Sequence, residues 1–385
     1  MKKIKMGMIG GGPGAFIGEV HRMAARLDGK IELVCGAFSS QPNVSKNFGI
    51  SLGLDDSRSY GSYIEMIEQE SLLPEEKKMD LVVIATPNHL HFKPAKLALE
   101  KGFHVLSDKP ATFNLDEAKA LAEVVRSTGL HYGLTHNYTG YPLVKEARQL
   151  IKTGRLGEIR KVIVEYPQGW LSTKLEVTGH KQASWRTDPQ KAGLGGSLAD
   201  IGTHAENLAE YVTGLKIQEL CADVSSIVEG RQLDDDANIL VRFDNGARGI
   251  IYCSQISLGE ENPLSFRVYG SKASLEWHQM EPNTLLMKYL DKPTEILRTG
   301  QGYLSPNALS GSRIPPGHPE GFIEAFANIY TEFAKAIVNS DKDKSISTDS
   351  FDFPNIEDAV RGMQFIETVI KSSKSKEKWI PFLEK

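Results

Sequence analysis

The chain has 385 residues and a formal net charge of −4, with 40% hydrophobic and 24% charged residues. That length accommodates two domains, each with its own core. The mild acidity excludes nucleic acid or an anionic membrane as main partner, and no apolar run approaches a membrane span.

Residues 1–135 alternate short apolar runs with helical patterns, which predicts a parallel sheet with crossover helices. Ile4–Ile9 reads as the first strand and runs straight into Gly10-Gly11-Gly12-Pro13-Gly14-Ala15-Phe16-Ile17-Gly18. Glycines let a main chain touch phosphates, whose charge the amides and the positive end of the next helix stabilise. A dinucleotide cradle is therefore expected at Gly10, Gly12, Pro13, Gly14, Ala15 and Phe16. Counted from Gly10 and Gly12, the usual third glycine falls at Ala15. Gly18 comes later, as though the loop were enlarged.

A helix is predicted over Gly14–Leu27 and a second strand over Ile31–Phe38. That strand ends in Ser39-Ser40-Gln41-Pro42 rather than in the acid that holds the ribose 2′-hydroxyl of NAD. Ser39 and Ser40 can bond a 2′-phosphate, with Lys46 near in sequence. The reading therefore leans to NADP and leaves NAD or dual use open. The same serines could instead cap the following helix.

The third strand, Leu81–Ala85, delivers Thr86-Pro87-Asn88 to the ligand edge of the sheet. His89 and His91 lack companion cysteines or carboxylates, so packing at a helix start is expected and no metal site is predicted. The fourth strand, His104–Leu106, leads to Ser107-Asp108-Lys109-Pro110. Lys109 can stabilise an alkoxide developing on a substrate hydroxyl, although as an isolated tripeptide it also reads as a surface lysine. A helix over Asn114–Ser127 has Asn114 as N-cap, with Glu117 three residues on.

From 136 to 385 the rhythm changes. Val162–Tyr166, Ile217–Val228, Ala237–Phe243, Arg248–Gln255, Leu264–Tyr269 and Ala273–Trp277 read as strands. Asp244-Asn245-Gly246 and Gly270-Ser271-Lys272 read as hairpin turns. This predicts a second domain of α+β type on an antiparallel sheet. Long helices over Gly321–Val338 and Ile356–Ser372 close the chain and can pack back on the first domain. Asp234-Asp235-Asp236 reads as a solvated turn. Cys35, Cys221 and Cys253 are far apart in strand-like runs and read as free, buried thiols, which fits a cytoplasmic protein.

Between these strands lies Gly195-Gly196-Ser197-Leu198-Ala199-Asp200-Ile201-Gly202-Thr203-His204, followed by an apparent helix over Ala205–Val212. If Asp200 caps or enters that helix, it shares a face with His204. A helix N-terminus would keep His204 neutral and able to accept a proton. Upstream, Trp170, Lys181, Trp185 and Arg186 offer aromatic planes and cations, and structural packing is an equally open reading of each.

These pieces, in this order, resemble the glucose–fructose oxidoreductase/inositol dehydrogenase (Gfo/Idh/MocA) family. The resemblance rests on the glycine loop, Thr86-Pro87-Asn88 with His91, Gly102-Phe103-His104-Val105 leading to Asp108-Lys109-Pro110, and Asn137-Tyr138. It continues through Gly154-Arg155-Leu156-Gly157-Glu158-Ile159, Trp185-Arg186, Asp200 to His204, and Tyr269-Gly270-Ser271-Lys272. It implies a Rossmann domain followed by a domain on a large, open, mostly antiparallel sheet, assembled as a homodimer or homotetramer.

The implied activity is NAD(P)-dependent, reversible oxidation of a secondary hydroxyl of a sugar, inositol or related polyol. Lys109 matches the lysine of the family's Glu-Lys-Pro motif, with Asp108 in place of the glutamate. His204 matches the catalytic histidine, and Asp200 the aspartate that holds a substrate hydroxyl. Thr86, Pro87, Asn88, His91, Asp108, Lys109 and Asn137 would face cofactor; Trp185 and Arg186 would join Lys109, Asp200 and His204 around substrate. Two alternatives remain within the fold: a glycosidase using tightly held NAD, and a non-catalytic dinucleotide-binding regulator.

Overall fold

The structure, a computed structural model, describes residues 3–340 and 348–382. It forms two compact units. The first comprises residues 1–136 and 326–360, and the second 137–325 and 361–385. The change of rhythm at 135 falls beside the first boundary.

The first unit runs β1 (Ile4–Gly10), α1 (Phe16–Leu27), β2 (Ile31–Ala37), α2 (Pro42–Ser51), α3 (Tyr63–Ser71), β3 (Leu81–Ala85), α4 (Phe92–Glu100), β4 (His104–Ser107), α5 (Leu115–Thr128) and β5 (Tyr132–Leu134). The strands pair in parallel in the order β2-β1-β3-β4-β5. Every residue of β3 is buried, as a central parallel strand covered on both faces requires. Order reverses between β1 and β3, and the crevice outside the carboxyl ends of two such strands takes ligands. Asn114 caps α5, its Oδ1 accepting from Glu117 N at 2.9 Å, while Glu117 Oε2 accepts from Phe113 N. β5, three residues with a glycine at its centre, carries no period visible in the sequence. It is tied by Leu134 N donating to Pro354 O at 2.8 Å.

The second unit contains α6 (Pro142–Lys152), β6 (Ile159–Pro167), α7 (Lys181–Arg186), α8 (Pro189–Ala192), α9 (Thr203–Thr213), β7 (Ile217–Ser225), β8 (Asp236–Phe243), β9 (Arg248–Ser254), β10 (Ser265–Gly270), β11 (Ser274–His278), β12 (Thr284–Lys288), β13 (Glu295–Arg298) and α10 (Pro306–Leu309). Two long helices follow, α11 (Phe322–Ser340) and α12 (Ile356–Lys374), then β14 (Trp379–Pro381). Residues of α11 and α12 belong to both units.

The nine-stranded sheet has the order β13-β12-β11-β10-β6-β9-β8-β7-β14, antiparallel except for the parallel β6/β9 pair. Strands β12, β13 and β14 extend the sheet beyond the six expected. β14 contains Pro381, which an edge strand tolerates. Ala237, Ile239, Val241 and Phe243 of β8 are buried while their neighbours face outward. This alternation marks one covered face. Cys35 and Cys253 are buried, Cys221 is half-buried, and all three thiols are free. Among the described residues no helix is long and apolar enough to cross a membrane.

Candidate active site

Two clusters carry the candidate residues, one in each unit. In the first unit β1 ends in the glycine turn. Gly10, Gly11 and Gly14 have φ of 80°, 64° and 72°, a region open to glycine. A Cβ on Gly12 would lie 2.3 Å from Phe38 O, so the loop lies directly against the end of β2. Arg22 Nη1 braces the turn from α1 by donating to Gly11 O at 2.8 Å. Pro13, Gly14 and Phe16 are exposed. The N-cap Ala15 makes no side-chain capping bond, which leaves first-turn amides for a ligand.

Gly18 resolves the apparent enlargement of the loop. Its Cα passes so close to the turn that a Cβ there would fall 2.2 Å from Gly11 Cα. It therefore fills the third glycine's role of close helix-to-strand packing, and the extra residues form the exposed tip. Gly18→Ala puts a methyl against backbone that cannot rotate away. The expected result is at least a tenfold rise in the dissociation constant for dinucleotide, about 1.4 kcal/mol, read by fluorescence titration. An unchanged constant would show that the contact is dispensable.

Beyond β2, Phe38 is buried and its N–H donates to Ser45 Oγ at 2.8 Å. Ser39 Oγ accepts from Gln41 N at 3.1 Å, closing a local turn ahead of α2. Ser40 is exposed, and Lys46 lies 4.0 Å from Glu65 with both side chains about half exposed. α2 starts with Pro42 and has no side-chain cap, so neither serine caps it directly.

Thr86 Oγ1 is buried with no partner among the described residues, and Asn88 is buried beside it in a short 3₁₀ turn. His91 is fully buried, its ring between Pro110 O (2.7 Å from Nδ1) and Thr86 O (2.8 Å from Nε2). Burial lowers its pKa. It braces the Thr86 loop against the Lys109-Pro110 loop, whose peptide is cis. Asp108 Oδ1 accepts from Lys109 N at 2.8 Å and from Thr135 Oγ1 at 3.1 Å. Lys109 is half-buried.

Sequence reasoning missed the buried groups around Asp108. His136 is drawn down to about 3 by burial and by the Lys109 cation, with Asp108 opposing. His21 falls to about 4 through burial, and its Nδ1 lies 2.7 Å from Tyr330 Oη. His136 follows β5, the strand without a visible period; His21 and Tyr330 have no sequence signal.

These features fit a dinucleotide. The turn admits no Cβ at Gly10 or Gly12, the helix start is uncapped, and a buried hydroxyl awaits a partner. Among the described residues no group of three or more His, Cys, Asp or Glu could hold a metal ion.

In the second unit Asp200 lies in a π-helical turn, Leu198–Gly202, that feeds directly into α9. This corrects two expectations. Helical backbone begins six residues before His204, so the ring lies beyond the first turn, where a helix end acts. The wider π turn also means that four residues between Asp200 and His204 are not one α-helical turn.

Asp200 Oδ2 accepts from Arg186 Nε at 3.2 Å and from Gln255 Nε2 at 2.8 Å. His204 is 6% exposed. Its ring meets Tyr138 edge-on, 4.9 Å between centroids, and Tyr166 at 6.3 Å. Asn137 is buried with Nδ2 unpartnered among the described residues. The Arg186 guanidinium stacks on Trp185 at 4.2 Å and bonds Gln182, so its charge is directed at Asp200. Lys181 is exposed.

Asp234 and Asp235 overturn a further expectation. They are buried, not solvated. Asp234 Oδ1 accepts from Gly196 N at 2.6 Å, and Oδ2 from Ser197 Oγ and Leu198 N, both at 2.7 Å. Asp235 accepts from Ile227 N and Val228 N and pairs with Arg231. Asp234 thus caps the π turn that presents Asp200.

The signature of the oxidoreductase family with an NAD-binding Rossmann fold matches residues 4–136, and that of the GFO/IDH/MocA C-terminal domain matches residues 144–276. A Bacillus subtilis protein called uncharacterized oxidoreductase YfiI is 32% identical over 384 residues, 99% of this chain and 97% of that one. Levoglucosan dehydrogenase from Pseudarthrobacter phenanthrenivorans is 25% identical over 99% of this chain and 98% of its own. Among solved structures, an inositol dehydrogenase homolog from Azotobacter vinelandii, complexed with NADH and myo-inositol, superposes with a TM-score of 0.92. It is 36% identical and covers 99% of this chain and 98% of its own.

Proposed function

The chain belongs to the Gfo/Idh/MocA oxidoreductases, and from that premise we propose that it reversibly oxidises a secondary hydroxyl of a cyclic polyol, an inositol or a sugar, by hydride transfer. A bound nicotinamide supplies the hydride acceptor. His204 accepts the proton of the reacting hydroxyl. Lys109 stabilises the negative charge that grows on that oxygen. Asp200, held as an acceptor by Arg186 and Gln255, orients substrate through a neighbouring hydroxyl. The observation that carries this reading is the build around Asp200 and His204: an oriented carboxylate and an imidazole walled by aromatic rings, on one capped element. The inositol dehydrogenase homolog with myo-inositol supports the substrate class.

The end of β2 supports dual cofactor use. No acid follows it to repel a 2′-phosphate, and the nearest lysine, Lys46, lies 4.0 Å from the Glu65 carboxylate rather than being dedicated to a phosphate. kcat/KM values for NAD and NADP are expected to agree within about tenfold, a difference under about 1.4 kcal/mol. Nicotinamide absorbance, followed with each cofactor across inositols, hexoses, pentoses and sugar acids, tests both proposals. A preference beyond a hundredfold would contradict the reading of β2, and no turnover with any polyol would contradict the substrate class.

The active form is a homo-oligomer joined through the sheet. Leu240, Ile250, Ile163, Arg267, Glu276, Leu286 and Ile296 share one cross-strand row, partly or fully exposed. A row so rich in aliphatic side chains is unusual for an uncovered face. A monomer in sedimentation equilibrium at working concentration would overturn this.

A further inference from the structure

The loop before β10 carries Asn262, which no motif singles out. Its amide is held by three side chains, Tyr138, Tyr166 and Gln168, and the sense of every hydrogen bond follows by elimination. An indole N–H can only donate, so Trp170 Nε1, 3.1 Å from Gln168, faces the carbonyl oxygen Oε1. Gln168 must then turn its NH₂ to Asn262, 2.6 Å away, and meets Oδ1 there. Tyr166 Oη, 2.7 Å from the same Oδ1, can only donate to it. The opposite atom, Asn262 Nδ2, donates to Tyr138 Oη at 3.1 Å. With Tyr166's single proton committed, the hydrogen bond between the two phenols is donated by Tyr138.

The result is a closed ring with one sense: Asn262 to Tyr138, Tyr138 to Tyr166, Tyr166 to Asn262. Both tyrosines are buried. Burial pushes both phenols up, Tyr138 to about 12, so the ring keeps its protons at neutral pH. The two rings are those that flank His204. On the other side Gln255 Nε2 donates to Asp200 at 2.8 Å and to Gln168 Oε1 at 3.4 Å. The acceptor-only carboxylate and the donor-only indole thus fix the same polarity from opposite ends.

We propose that Asn262 is a positioning residue, closing a one-way hydrogen-bond ring with Tyr138 and Tyr166 that fixes the aromatic walls of His204 and, through Gln168 and Gln255, ties them to Asp200. The inference rests on the reading of His204 as proton acceptor. Asn262 touches neither group directly. It acts by denying the phenols rotation and by leaving His204 one ring orientation. A misplacement of about 1 Å in a catalytic group can cost about 10²-fold in rate.

The test uses the full-length protein with Asn262→Leu and Tyr166→Phe, the second removing a single oxygen and guarding against misfolding of the first. Asn262→Leu is expected to lower kcat about tenfold or more with substrate KM within about threefold. In substrate-free protein the His204 ring resonance, identified by its disappearance in His204→Ala, is expected to move in both variants while the other histidine resonances stay. Folded variants with an unmoved His204 resonance would overturn the proposal, whatever their activity. A wild-type protein inert on every polyol would overturn the functional reading, and the resonance would still decide the positioning role.

Discussion

Lys109→Ala and His204→Ala are each expected to lower kcat by about 10²–10⁴-fold, while the dissociation constant for the dinucleotide changes less than about threefold. The split follows from where affinity and chemistry reside. In the proposed reading the cofactor is held by the amides of the Gly10–Phe16 turn and by the Thr86 loop, and neither substitution falls within these segments. His204, flanked by the Tyr138 and Tyr166 rings, is the proposed proton acceptor, and its loss would leave the hydroxyl proton without a placed base. Lys109 provides positive charge beside Asp108, which anchors it through the Lys109 N–H. In the proposed reaction both roles concern the same hydroxyl oxygen, so the double variant is expected to be little worse than the poorer single one. Stopped-flow turnover and calorimetric cofactor binding check both halves. Near wild-type turnover in both variants would refute the assignment. Product formed from a glycoside with no net change in nicotinamide absorbance would point to the glycosidase, and tight cofactor binding without turnover on any polyol to the regulator.

What the sequence discloses here follows the range of the interaction. Leu81–Ala85 is legible to the residue, because a strand buried on both faces is a run of apolar, mostly β-branched side chains. The Asn114 cap is legible because donor and acceptor are three residues apart. β13 and β14 are not, being short edge strands whose partners define them. Gly18 looks misplaced until Gly11 is seen against it. The π turn leaves no trace, since one residue more per turn changes no residue type. Asp234 looks solvated in a run of three acids because the amides that satisfy it are 36 to 38 positions away. The residues proposed to be functional lie on both sides of this divide. Lys109 and His204 are found by motif, whereas Gln255 and Asn262 are visible only through what they bond.

Asp234→Ala is expected to destabilise the second unit by about 3–5 kcal/mol and to take activity with it. The carboxylate satisfies three donors at the entrance to the π turn, and its own main-chain carbonyl accepts from Ser197 N at 2.9 Å. Gly196 must be glycine for this approach, since a Cβ there would lie 2.2 Å from Asp234 O. Alanine leaves the Gly196 and Leu198 amides buried without acceptors, each costing about 1–3 kcal/mol, and the Ser197 hydroxyl must find another partner. Asparagine is expected to fall between. Its single oxygen can serve Gly196 or the Ser197–Leu198 pair, and its NH₂ faces a donor on the other side. Asp236 provides the contrast: it accepts from Asn238 Nδ2 in an exposed bond, and Asp236→Asn is expected to change stability by no more than about 0.5 kcal/mol. Urea and thermal unfolding of the three variants rank the effects. Because Asp200 lies two residues past Leu198, the alanine variant should lose turnover even at temperatures where it stays folded, as the carboxylate drifts from Arg186 and Gln255. Equal midpoints for Asp234→Ala and wild type would mean that the turn is held by Ser197 N and the surrounding packing alone.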